Sequence, residues 1–176
     1  MLSFIMGLAL AAPAASERAD RSKPINVEAD ELSVDETKQV SVFTGNVTLT
    51  QGTLTLRADK LVVKQNAGGF NSAIAHGNPA RFREKLDGQN EYIEGWAERI
   101  EYDGAATKVQ LFNNARLKRG QDEVQGDYIA YDGKTEVFQA SGGKGDGRGR
   151  VRAIIQPKAQ DSASSPAKPA PGGRGS

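Results

Sequence analysis

The sequence predicts an all-β chain, and three observations carry that prediction. Apolar residues alternate with polar ones at a period of two, Gly-containing dipeptides interrupt the alternation as turn signals, and no stretch repeats its apolar residues at helical spacing. The alternation also switches phase at regular intervals. Such switches bend each strand and curl the sheet around one narrow interior, as in a jelly roll or a β-solenoid.

The 176 residues fit one domain of ordinary size. Ile, Leu, Val and Phe number 36, about a fifth of the chain, close to the lower limit for a packed core. A core this thin suits an elongated sheet better than a compact enzyme. The 23 Lys+Arg against 22 Asp+Glu leave a net charge of +1, without the basic surplus of a nucleic-acid binder. With no Cys there is no disulfide framework, no thiolate zinc site and no cysteine nucleophile.

The two ends read differently from the middle. Leu2 to Ala12 is an apolar run, too short for a membrane span of roughly 20 residues. It matches the apolar region of a secretory signal, and Ala12-Pro13-Ala14 offers small residues for cleavage. Residues 1–14 are therefore expected to be a signal peptide, and because no basic segment precedes Leu2 its true start is expected to lie upstream. Residues 15–23 open the mature chain on this reading, and an exported protein without cysteines is compatible with a bacterial periplasm. Residues 158–176 are Ala, Ser, Pro, Lys and Gly with hardly a large apolar side chain, and are expected to form a disordered tail. The expected domain spans residues 24–157.

Within it, Ile25, Val27 and Ala29 alternate with polar residues, as do Val47 and Leu49, then Leu54, Leu56 and Ala58. The same holds for Val109 with Leu111 and for Phe138 with Ala140. Gln51-Gly52, Asp87-Gly88, Asp103-Gly104 and Asp132-Gly133 mark turns between them. A repeat underlies the series. Ala29-Asp30-Glu31-Leu32 is echoed by Ala58-Asp59-Lys60-Leu61, Ala97-Glu98-Arg99-Ile100 and Gly126-Asp127-Tyr128-Ile129. Each is followed by a second motif: Phe43-Thr44-Gly45-Asn46, Ala75-His76-Gly77-Asn78, Phe112-Asn113-Asn114-Ala115 and Gln139-Ala140-Ser141-Gly142. Across the first motif the apolar parity reverses, from 54, 56 and 58 to 61 and 63, and from 93 and 97 to 100 and 102. Side chains alternate strictly along a strand, so each reversal requires a bulge or corner that keeps the apolar face inward.

Three segments carry a family resemblance: Pro24-Ile25-Asn26-Val27-Glu28-Ala29-Asp30, Phe43 to Gly52, and Leu56-Arg57-Ala58-Asp59-Lys60-Leu61. Together they resemble the OstA family of periplasmic lipopolysaccharide transport proteins, over roughly Pro24 to Pro157. The resemblance implies an open, twisted β-jelly roll in the periplasm that binds lipid A and polymerises into a bridge between two membranes. It implies further partners: an inner-membrane-anchored protein of the same fold and the N-terminal domain of an outer-membrane translocon.

No catalytic constellation, metal set or cofactor motif stands against this reading. His76 occupies a repeat corner where Thr44 and Asn113 are its equivalents, so it reads as a polar turn residue. Asp30, Asp59, Glu98 and Asp127 recur too regularly for a catalytic cluster, and are expected to hydrogen-bond local backbone at the corners. Asn46-Val47-Thr48 matches a glycosylation acceptor only as a short, weak pattern. The Gly142 to Arg152 stretch carries four cations and one anion and reads as a charged hairpin loop rather than a phosphate cradle. Arg81, Arg83 and Lys85 share one strand face, with Phe82 on the other, and suit a solvated outer surface or a headgroup clamp. Trp96 alone is no sugar platform.

The ligand-contact positions that the resemblance implies are Ile25, Val27, Phe82 and Tyr102. Ile25, Val27 and Tyr102 lie on the apolar parity of their strands, which fits core packing equally well. The expected sheet edges are Ile25 to Ala29 and Val151 to Gln156, which contain no proline to block pairing with a second copy. The competing class is a secreted structural β-solenoid with a closed, dry core and no ligand.

Overall fold

The computed structural model describes residues 23–66, 69–86, 90–135, 137–143 and 149–157. The expected signal peptide, the expected tail, the Asp87-Gly88 turn and most of the Gly-rich loop lie outside these residues. Ten strands follow in order: β1 (Asn26–Glu28), β2 (Glu31–Asp35), β3 (Val40–Gln51), β4 (Leu54–Asn66), β5 (Gly69–Lys85), β6 (Tyr92–Asp103), β7 (Lys108–Arg119), β8 (Asp122–Asp132), β9 (Val137–Ser141) and β10 (Arg152–Ile154). No helix occurs among the described residues.

All pairings are antiparallel, in the order β1-β3-β4-β5-β6-β7-β8-β10, with β2 also on β3 and β9 also on β8. The first and last strands do not pair with each other, so the sheet stays open. The turns follow their residue chemistry. Gly52 has a φ of 57°, which glycine adopts without a β-carbon clash. Asp103 and Asp132 accept the backbone N–H groups of Ala106 and of Lys134 and Thr135.

The parity reversals appear as register shifts that line up across the sheet, at Thr44/Val47, Arg57/Lys60, His76/Ala80, Trp96/Arg99 and Phe112/Ala115. Ala58 and Leu61 are both buried, as are Ala97 and Ile100, so each bent strand keeps its apolar side inward through the corner. Between matched pairs the extra residues fall on the strand facing the acidic motif. Gly45 and Asn46 on β3 oppose Asp59 alone, and Asn113 and Asn114 on β7 oppose Asp127 alone.

Cross-strand partners share a face. One inner row therefore runs Leu32, Phe43, Leu61, Ala75, Ile100, Leu111, Ile129 and Ala140, from β2 to β9. On the other side of the corners a second row runs Val27, Leu49, Leu56, Phe82, Gly95, Leu117, Val124 and Ala153, from β1 to β10. The two half-sheets face each other and share a single apolar cluster, an open β-jelly roll.

The edges differ from expectation. Neither is one strand: the corner at Asp30 divides the first into β1 and β2, and β9 and β10 together form the last. The first strand ends at Glu28 and the last at Ile154, where Gln156 gives its N–H to the Asp122 carboxylate instead of to a ladder.

Candidate functional site

Most of the interior is filled, but an apolar cavity of about 60 Å³ remains where the half-sheets meet near the β3–β4 turn. Ile25, Phe82 and Tyr102 line it, brought from β5, β6 and the segment before β1. Ile25 is half-buried; Phe82 is buried beneath the sheet it stands on; Tyr102 is half-buried and stacks on Phe70 with ring centres 5.6 Å apart. Val27 is half-buried against the same cluster, opposite Leu49, and does not reach the cavity wall. The structure thus brings three of the four expected ligand positions together and sets the fourth beside them. Gln51 and Glu84 add two polar groups to an otherwise apolar lining.

Phe70 was not foreseen. The alternation that exposes the rest of β5 to reading fails between Phe70 and Ser72, where the register shifts against Gln65 and Lys64. Asn71 is the extra residue, and a single-sequence reading of period two loses Phe70 there.

Beyond the cavity the inner rows run out to uncovered apolar ends. On β2, Leu32 and Val34 are 58% and 56% exposed although they sit in line with the buried Leu61 and Val63. At the other edge Phe138, stacked on Tyr131 at 4.6 Å, is partly exposed. Apolar residues left bare at both ends of one continuous core mark surfaces that exclude water only when something covers them.

The corners form a polar ridge between the half-sheets. The Asn46 side-chain amide donates to Asp30 at 2.9 Å, and the Asp30 N–H donates to the Gly45 carbonyl at 3.0 Å. Asn113 and Asn114 both donate to Glu98, at 3.3 and 2.6 Å. Asn46, Asn113 and Asn114 take φ values of 47°, 63° and 51°, a left-handed conformation that asparagine tolerates better than most residues. The expectation of local backbone bonds at Asp30 and Glu98 is corrected: their side chains take the amide side chains of the next strand's corner. Asp59 and Asp127 make no corresponding bond among the described residues. His76 lies exposed on the outer face, paired in register with Lys60 and Arg99.

The outer face is ionic. Arg83 pairs with Glu94 at 3.4 Å and lies over the Tyr92 ring. Arg116 lies over Trp96 and donates to Glu123 at 2.6 Å. Hydrogen bonds from Arg116, then from Gln125, hold the Glu123 carboxyl below its ordinary range. Among the described residues no group of His, Asp and Glu is placed to hold a metal ion.

Three comparisons bear on this arrangement. Residues 26–137 match the family model described as LptA/(LptD N-terminal domain) LPS transport protein. The chain is 33% identical over 158 residues to the lipopolysaccharide export system protein LptA of Haemophilus influenzae, covering 88% of this chain and 90% of that one. It is 36% identical over 152 residues to LptA of Escherichia coli K12, covering 85% and 80%. The crystal structure of LptH from Pseudomonas aeruginosa, described as the LptA-homologous periplasmic component of the lipopolysaccharide transport device, superposes with a TM-score of 0.72. That match has 27% identity and covers 78% of this chain and 99% of the other.

Proposed function

The chain belongs to the family of LptA and LptD N-terminal-domain lipopolysaccharide transport proteins, and from that membership we infer that it is a periplasmic carrier that moves lipopolysaccharide without chemical change. The observation that carries the reading is the apolar interior of a sheet that never closes, lined at one end by Ile25, Phe82 and Tyr102 and bare at both edges. A closed scaffold would bury those edges, so the open sheet favours the carrier over the structural alternative.

The lipid A acyl chains are the part of the ligand that the interior takes. Each buried methylene contributes about 0.8 kcal/mol, so burial alone holds several chains. A cavity of about 60 Å³ is well below the roughly 300–1,000 Å³ of a ready-made ligand pocket. Acyl chains therefore enter by parting the half-sheets at the rim, with Ile25, Val27, Phe82 and Tyr102 changing partners from one another to lipid. The corners, which join the half-sheets, act as the fixed side of that opening.

Transport across water needs more than one copy. The edge made of β1 and β2 runs antiparallel to β3, and the edge made of β9 and β10 runs antiparallel to β8. Setting the first edge of one copy against the last edge of another continues the alternation of strand direction without a break. The two surfaces differ, so the contact is heterologous and grows into a filament with one apolar interior. The same edges serve for an inner-membrane-anchored partner of this fold and for the N-terminal domain of the outer-membrane translocon. Extraction of the purified protein tests the carrier reading: bound acyl-chain glycolipid is expected, and lipid-free protein that also ignores added lipid A would overturn it.

A further inference from the structure

On the outer face, directly behind Leu56 and Phe82, the register sets Thr48, Arg57, Arg81, Trp96 and Arg116 side by side on β3 to β7. Arg57 and Arg81 are a directly opposed cross-strand pair, a position where β-carbons stand about 5 Å apart and like charges destabilise the sheet. The neighbouring arginines are neutralised, Arg83 by Glu94 and Arg116 by Glu123. Arg57 and Arg81 are exposed and, among the described residues, have neither an ion pair nor a hydrogen bond. Both line an open cleft of about 610 Å³ at the corner, with Asn46, Thr48, Asn78 and Trp96 around them. Asp59 is the one acid in its wall and pairs with neither arginine.

We propose that Arg57 and Arg81 together bind a phosphate monoester in this cleft, on the face of the sheet opposite the apolar interior. Each guanidinium presents a planar fork of N–H donors that fits phosphate oxygens two at a time. A monoester carries about −1.5 to −2 charges near neutral pH, which matches two arginines, and its oxygens leave acceptors for the Asn78 amide and the Thr48 hydroxyl. Binding removes the repulsion that the empty pair imposes. The phosphate comes from a saccharide or from a lipid headgroup; both present the same chemistry. The site does not rest on the carrier reading, because none of its polar groups faces the interior.

The test titrates the full chain at low salt with inorganic phosphate, with glucose 1-phosphate, and with phosphatidylcholine vesicles with and without phosphatidic acid. Thermal stability is followed for the wild type and for Arg57→Gln, Arg81→Gln, Asp59→Asn and Arg83→Gln. Phosphate is expected to raise the melting temperature of the wild type and of Arg83→Gln beyond what chloride does at equal ionic strength. Loss of either cleft arginine should weaken binding about tenfold, as one charge-assisted contact implies. Asp59→Asn should tighten it. Without phosphate, Arg57→Gln and Arg81→Gln should melt higher than the wild type, which also shows that they fold. Binding of glucose 1-phosphate but not of vesicles assigns the saccharide source; arginine-dependent binding of phosphatidic acid vesicles alone assigns the headgroup. An equal phosphate response in all variants, or one that chloride reproduces, would overturn the site.

Discussion

Phe82 lies over Gly95: the ring edge occupies the space where a β-carbon on residue 95 would stand. The glycine is what lets a buried aromatic lie flat across the neighbouring strand. Gly95→Ala should therefore push Phe82 off its position and cost about 1–3 kcal/mol, the usual range for overpacking a core. Urea unfolding measures this, and adding Phe82→Leu should recover part of the loss. Additive losses in the double variant would mean that the two residues are not coupled.

Lipid capture separates interior from exterior. A photo-crosslinking residue at Ile25 or Phe82 should trap lipopolysaccharide in cells, while one at Lys60, on the exposed outer face, should not. Equal trapping at all three positions would count against a defined interior. Ile25→Asp, at the half-buried rim, should impair transport with a smaller loss of stability than Phe82→Asp, which places a charge in the core.

Assembly is checked with cysteines in this cysteine-free background. Asn26 and Arg152 both lie on the outer parity of their edges, beside the inward Val27 and Ala153. Cysteines at Asn26 and Arg152 should yield disulfide-linked ladders that lengthen with protein concentration. Monomers alone at high concentration, with the fold intact, would refute edge pairing.

Acid should weaken the outer face in a defined direction. Glu123 has a lowered pKa in the fold, chiefly from the Arg116 hydrogen bond, and Asp132 is lowered by the N–H groups of Thr135 and Lys134. A carboxyl lowered on folding stabilises the protein above its unfolded pKa, and that contribution is lost as pH falls through the folded value. Stability should thus decline below the ordinary carboxylate range, and more shallowly in Glu123→Gln. Unfolding curves between neutral pH and pH 3 give the comparison; identical slopes would remove Glu123 from the account.

The bends were legible in the sequence because strict alternation makes one displaced residue visible: Ala58 and Leu61 cannot both face inward on a straight strand. The partners of the corner acids were not legible. The bonds from Asn46 to Asp30 and from Asn114 to Glu98 span 16 residues each, and depend on a left-handed backbone that no period reveals. Facing was readable for Ile25, Val27 and Tyr102, since parity determines it. Their separation into cavity wall and packed neighbour was not, because it depends on how closely two half-sheets approach.

The divided edges have a consequence for unwanted contacts. The first edge offers three residues in β1 and five in β2, on half-sheets that diverge at Asp30; the last offers five in β9 and three in β10. A straight strand from an unrelated protein can follow either edge for at most five residues before the corner turns the backbone away, too short a grip to last. Only a chain bent at the same place, with segments of the same lengths in the reverse order, can keep pairing through the corner. Under the proposed edge-to-edge assembly, two open edges would thereby admit little besides a chain of this same shape.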